Sequence, residues 1–218
     1  MASVSKSFLK NGIKNLKANS MFTGIIETTG KVIQIETKGT NISFNISSDI
    51  TNELKPDQSV AHNGVCLTVE SVSDNEYKVT AIAETLAKTN MGLIKINDEI
   101  NLERCAILGG RIDGHLVQGH VDCTATCVQK KDENGSVEYT FSYPEQFMPL
   151  MIEKGSVTVN GISLTCYGLN KNEFSVAVIP YTFEHTNIRH VSAGNVVNLE
   201  FDILGKYLLR WKELGMVK

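Results

Sequence analysis

Ser59-Val60-Ala61-His62-Asn63-Gly64-Val65-Cys66-Leu67-Thr68 and Ser156-Val157-Thr158-Val159-Asn160-Gly161-Ile162-Ser163-Leu164-Thr165 are one pattern written twice. The register runs on without a gap through Asn75-Glu76-Tyr77 over Asn172-Glu173-Phe174, Thr85 over Thr182, Thr89-Asn90 over Thr186-Asn187, and Asn101-Leu102-Glu103 over Asn198-Leu199-Glu200. About a third of the positions in that stretch are identical, and many others exchange one apolar residue for another, which chance does not produce. With a small shift of register the match resumes upstream, laying Gly24-Ile25-Ile26-Glu27 over Gly119-His120-Val121-Asp122. A period of about 97 residues is far longer than a solenoid or propeller repeat, so each copy is a whole domain. The boundary falls between Glu103 and Leu116, where Gly109-Gly110 and Gly114 punctuate the chain.

Within each copy the segments are short, β-branched and alternating, as in Gly30 to Ile35, Asn41 to Ile46 and Glu76 to Ile82. They read as half-buried strands. Asn63-Gly64 and Asn160-Gly161 suit tight turns because Asn and Gly tolerate positive φ. Many short strands in about 95 residues, with few helical stretches, predict a small closed or nearly closed antiparallel barrel in each half. The tail differs: Ile203, Leu204, Tyr207, Leu208, Trp211 and Leu214 recur at helical spacing. An apolar stripe too large for a small barrel to cover marks that helix as an oligomer contact.

The 218 residues are comfortable for two such domains, and 42% hydrophobic against 21% charged residues describes a globular chain with a packed core. A net charge of −3 gives no basic footprint for a phosphate backbone, which argues against nucleic acid, and no apolar run approaches the length of a membrane span. The cysteines, Cys66, Cys105, Cys123, Cys127 and Cys166, are odd in number and form no CxxC pair, so free thiols in a reducing compartment, the cytoplasm, are expected. Cys123 and Cys127 share a strand face, but nothing completes a zinc set and no metal is expected. Residues 1–20 carry Lys6, Lys10, Lys14 and Lys17 without an acidic residue. A disordered extension, a cloning remnant and an organelle-targeting segment all remain open there.

Met21-Phe22-Thr23-Gly24-Ile25-Ile26-Glu27, the two copies of Asn-Gly-x-x-Leu-Thr, and Gly114-His115-Leu116-Val117-Gln118-Gly119-His120 together resemble the riboflavin synthase family, from Met21 to about Trp211. The fold so implied is all-β: two tandem six-stranded antiparallel Greek-key barrels, residues 21–115 and 116–202, followed by a carboxy-terminal oligomerisation helix, 203–218, that brings three chains together. The reaction implied is dismutation of two molecules of 6,7-dimethyl-8-ribityllumazine into riboflavin and 5-amino-6-ribitylaminouracil by transfer of a four-carbon unit. No external cofactor is implied, and an association with lumazine synthase is left open. Two similar pockets then have a physical purpose, because two copies of one molecule must be held face to face.

The differences between halves are the most telling feature for chemistry. Cys66 stands where Ser163 stands in the second copy, a thiol against a hydroxyl. Thr68 and Thr165 follow on the same strand side, where a hydroxyl can bond a pteridine edge. The resemblance marks Cys66, His120, Ser163 and Asp202 as catalytic. It assigns Phe22, Thr23, Gly24, Ser59, Val65, Thr68, Thr80, Ile82, Glu84, Thr85, Lys154, Asn160, Ile162, Thr165, Ile179 and Thr182 to substrate contact. His120 suits proton transfer because both its forms are accessible near neutral pH, and Phe22 suits stacking on a flat heterocycle. Asn160 departs from the family pattern, which often has Asp there; a neutral amide binds but cannot act as a base. The sequence does not divide the proton-handling roles among Ser163, Asp202 and His120. Rival readings are a non-catalytic lumazine- or flavin-binding relative, which is expected to lose the second half's motif, and a flavin-reductase barrel, which needs a βαβ partner that Gly109-Gly110 does not open.

Overall fold

The computed structural model describes residues 21–216, so the extension at residues 1–20 lies outside the described part. The alternating segments form strands as their period demands. The first half holds β1 (Thr28–Lys38), β2 (Asn41–Ser47), β3 (Ser59–His62), β4 (Val65–Val72), β5 (Tyr77–Ala81) and β6 (Glu99–Arg104). The second holds β7 (Cys123–Asp132), β8 (Val137–Ser142), β9 (Ser156–Val159), β10 (Ile162–Asn170), β11 (Glu173–Val178) and β12 (Val196–Phe201). Each set closes into an antiparallel barrel, in the order β1-β2-β5-β4-β3-β6 and β10-β11-β8-β7-β12-β9. Started at β7 and read the other way round, the second order matches the first strand for strand, so the repeat seen in the sequence is a repeat of topology. Closure leaves no long sheet edge exposed.

Alternation decides what each strand offers. On β4, Val65, Leu67 and Val69 point into the barrel while Cys66 and Thr68 face outward; on β10, Ile162 and Cys166 are buried while Ser163 and Thr165 face outward. Cys123 and Cys127 do share a face, the inward one, and burial pushes the Cys123 thiol up to about 12. Short helices α1 (Ala83–Lys88) and α2 (Pro180–His185) sit at equivalent corners. The tail is α3 (Ile203–Glu213), capped by the Asp202 carboxylate, which accepts from Leu204 N at 2.9 Å. Leu204, Tyr207, Leu208 and Trp211 on it, and Leu214 just past its end, are exposed.

The barrels meet across a seam built from the repeated asparagines. Asn101 Nδ2 donates to the carbonyl of Asn160, and Asn198 Nδ2 to the carbonyl of Asn63, each at 2.9 Å. Asn187 Nδ2 donates to Asn63 Oδ1, and Asn90 Nδ2 to Asn160 Oδ1, so each contact has its counterpart in the other copy. The two Asn-Gly turns have both central residues at positive φ and stack on one another: a Cβ on Gly64 would lie 2.8 Å from Gly161 N. These amides are buried and mutually bonded, which fixes how the halves face each other.

Candidate active site

The arms that lead into the two barrels cross. Phe22 and Val117 pair antiparallel, with Phe22 N donating to Val117 O at 2.7 Å and Val117 N returning to Phe22 O at 3.1 Å. Just beyond that crossing, each arm lies on the other barrel. Ser163 N of β10 donates to the Gly24 carbonyl at 2.8 Å, and Cys66 N of β4 donates to the Gly119 carbonyl at 2.9 Å. Both glycines have φ +76, and a Cβ on either would come within 2.6 Å of the Cβ of Ser163 or Cys66. Only glycine permits that conformation at that separation.

Around Cys66 the crossing leaves a cleft of about 730 Å³ whose lining includes Val65, Glu84, Thr85, Lys88, Gly119, His120 and Lys206. The structure thus gathers five of the sequence-predicted residues in one place. Thr68 faces outward one step along β4, paired with Ser59 on β3. Thr80 bonds Ser43 at 2.8 Å on the outer side of β5, while Ile82 is exposed at the start of α1.

Around Ser163 the setting differs. His115 Nδ1 lies 2.7 Å from Ser163 Oγ, and His115 N donates to the Thr23 carbonyl. Burial holds the His115 imidazole below its usual range, opposed by the nearby Asp202 carboxylate. A neutral imidazole in that position can accept the Ser163 hydroxyl proton. Thr165 pairs with Ser156 on β9, whose neighbour Val157 pairs with Phe201, so the register brings Thr165, Ser156 and Asp202 to one end of the barrel. There a cavity of about 830 Å³, largely apolar, is lined by Lys154, Ser156, Asp202, Leu204 and Leu208. Lys154 Nζ sits 4.8 Å from the Tyr167 ring centroid. Ile179 is exposed at the start of α2, and Thr182 lies in that helix.

Some predicted residues have other duties. Phe22 is 0% exposed and packs on Ala61 and Val117, so its ring fills the crossing instead of offering a face for stacking. Asn160 is buried in the seam, with its side-chain oxygen accepting from Asn90 Nδ2 and Asn198 N. Ile162 points into the second barrel's core, as Val65 does into the first, although Val65 also borders the cleft. His115 belongs to the Gly114 to His120 motif, and no role for it is legible in the sequence; its one signal is its place five residues before His120 in a chain with 5 histidines. Glu103 and Glu200 are legible in the sequence as repeated residues; their partners are not.

Residues 23–105 and 118–202 each match the family model described as the lumazine binding domain. The chain is 40% identical over 189 residues to a riboflavin synthase of Actinobacillus pleuropneumoniae, covering 86% of this chain and 88% of that one. It is 39% identical over 195 residues to a riboflavin synthase of Mycobacterium tuberculosis H37Rv, covering 87% and 97%, and 35% identical over 192 residues to one of Bacillus subtilis strain 168, covering 88% and 89%. Among solved structures, LumP complexed with 6,7-dimethyl-8-(1'-D-ribityl) lumazine superposes with a TM-score of 0.76 over 83% of this chain and 98% of that one; at 18% identity this is a likeness of fold.

Proposed function

The chain belongs to the riboflavin synthase family, each half being a lumazine binding domain, and from that premise we propose that it is a transferase converting two molecules of 6,7-dimethyl-8-ribityllumazine into riboflavin and 5-amino-6-(D-ribitylamino)uracil. One substrate loses the four carbons that the other gains, so the two products together contain the atoms of the two substrates and no oxidant or reductant is consumed. The observation that carries the reading is the crossed pair of equivalent but unequally equipped sites, Cys66 beneath Gly119-His120 and Ser163 beneath Gly24 with His115 at 2.7 Å.

The chemistry requires a proton taken from an acidified methyl group and a nucleophile added at the adjacent ring carbon. The Ser163–His115 pair, with Asp202 nearby, is suited to proton handling on one substrate. Cys66 and the exposed His120 stand at the other. Ser59, Thr68, Thr80, Ile82, Glu84 and Thr85 are assigned to one substrate, and Thr23, Gly24, Lys154, Thr165, Ile179 and Thr182 to the other. Holding two reactants in register can supply a large part of the acceleration, about 7–11 kcal/mol in favourable cases.

The units assigned to the reaction are residues 21–115 and 116–202, with 203–218 for assembly. We read the exposed apolar face of α3 as the contact of a homotrimer, in which the first barrel of one chain meets the second barrel of its neighbour. A cytoplasmic setting fits an enzyme whose described residues include no helix long and apolar enough to cross a membrane. An association with lumazine synthase rests on the family resemblance alone. The test is incubation of the purified protein with the lumazine and nothing else. Equal amounts of riboflavin and the pyrimidinedione are expected; tight binding without product would favour a non-catalytic binding protein.

A further inference from the structure

Two buried carboxylates, Glu103 on β6 and Glu200 on β12, occupy equivalent places in the repeat, 5% and 1% exposed. Neither forms an ion pair with a Lys or Arg among the described residues; their partners are the arms that cross between the barrels. Glu103 Oε1 accepts from Thr23 N at 2.6 Å and from Thr23 Oγ1 at 2.8 Å, and its Oε2 accepts from Gly24 N at 3.0 Å. Glu200 Oε1 accepts from Gln118 N at 2.7 Å and its Oε2 from His120 N at 2.9 Å. The carboxylate grips N–H groups at or beside a glycine in each case. That glycine's carbonyl, Gly24 or Gly119, is the one that receives Ser163 N or Cys66 N from the opposite barrel.

The geometry points to Glu103 and Glu200 as positioning residues of the two proposed sites, each holding its own barrel's arm against the reactive side chain of the other barrel. This rests on the synthase reading above. Energetics favour a positioning role over a stabilising one. A carboxylate withdrawn from water costs free energy unless strongly compensated, and here burial outweighs the hydrogen bonds, so both groups are held above the usual carboxylate range. Glu27 faces Glu103, adding like charge, and Lys206 and Asp122 face Glu200. An arrangement selected for stability alone has less reason to keep two charged groups in these places. A carboxylate is the one side chain here with two acceptor oxygens and no donor, which suits a fork gripping neighbouring N–H groups.

The test uses the full chain with Glu200→Gln, Glu103→Gln and the corresponding Asp variants. Gln keeps the size but turns one acceptor into a donor facing an N–H. Riboflavin formation should fall about tenfold or more in each Gln variant, with KM changed far less, and the Asp variants should recover part of it. Amide exchange read by mass spectrometry should quicken at Gln118, His120 and Cys66 in Glu200→Gln, leaving Thr23 and Ser163 unchanged, and the reverse should hold in Glu103→Gln. Undiminished turnover, both arms loosening in both variants, or Gln and Asp variants alike failing to fold would each overturn the assignment. If the unsubstituted protein makes no riboflavin, the synthase reading fails, while the exchange pattern still decides which arm each carboxylate holds.

Discussion

His62 and Tyr77 lie wholly inside the first barrel, whereas the equivalent places in the second barrel hold Val159 and Phe174. The second barrel therefore supplies the substitutions that test what the polar pair does. His62 Nδ1 lies 3.0 Å from the Val60 carbonyl, which can only accept, so Nδ1 carries the proton; Nε2 is then the acceptor for the Tyr77 hydroxyl at 2.9 Å. Burial lowers the His62 pKa from 6.5 to about 4. An unfolded chain therefore binds this proton more readily than the native one between those two values. Stability from this group is fully present above pH 6.5, is lost as pH falls toward 4, and changes no further below. At 1.36 kcal/mol for each pH unit, the loss is on the order of 3 kcal/mol. Tyr77→Phe should cost about 1–3 kcal/mol at pH 7 by orphaning Nε2, and His62→Val a comparable amount by orphaning the hydroxyl. The double variant His62→Val/Tyr77→Phe, which copies the second barrel, should cost less than the two singles combined. Denaturant unfolding followed by circular dichroism at pH 7, 5.5 and 4 would measure all four proteins. Parallel loss of stability in wild type and His62→Val across that range, or a double variant worse than the sum of the singles, would refute the reasoning.

Three further outcomes are expected. Gly24→Ala should nearly abolish turnover and lower stability by about 2 kcal/mol or more, since its Cβ would meet the Ser163 backbone at φ +76; steady-state rates and thermal melts check this, and a fully active Ala variant would disprove the close approach. His115→Ala should cut kcat by about tenfold or more while riboflavin still binds, because it removes only the Ser163 proton partner; fluorescence titration beside kinetics separates the two effects, and unchanged kcat would leave His115 without a role. Deleting residues 203–218 should give a smaller particle by light scattering together with lost activity, and an unchanged mass would show that α3 takes no part in assembly.

The sequence by itself determined the duplication, the strand character of both halves and the terminal apolar helix, because these depend on periodicity along the chain. Alternation in Val65-Cys66-Leu67-Thr68 and Ile162-Ser163-Leu164-Thr165 separated inward from outward side chains, and the Asn-Gly turns were readable from their tolerance of positive φ. The family resemblance then pointed to residues that the fold gathers, Cys66 with His120 and Asp202 with Lys154. What the tertiary structure alone decided is everything that depends on contacts between halves. No local pattern records that Gly24 lies on Ser163 and Gly119 on Cys66, or that Phe22 is sealed into the crossing and Asn160 into the seam. The pairs Glu103 with Thr23 and Glu200 with His120 are about 80 residues apart, and His115 meets Ser163 across the barrel boundary. Periodicity reports which face of a strand is buried; the identity of the group that covers it is set by how two closed barrels dock, and that is a property of the packed molecule.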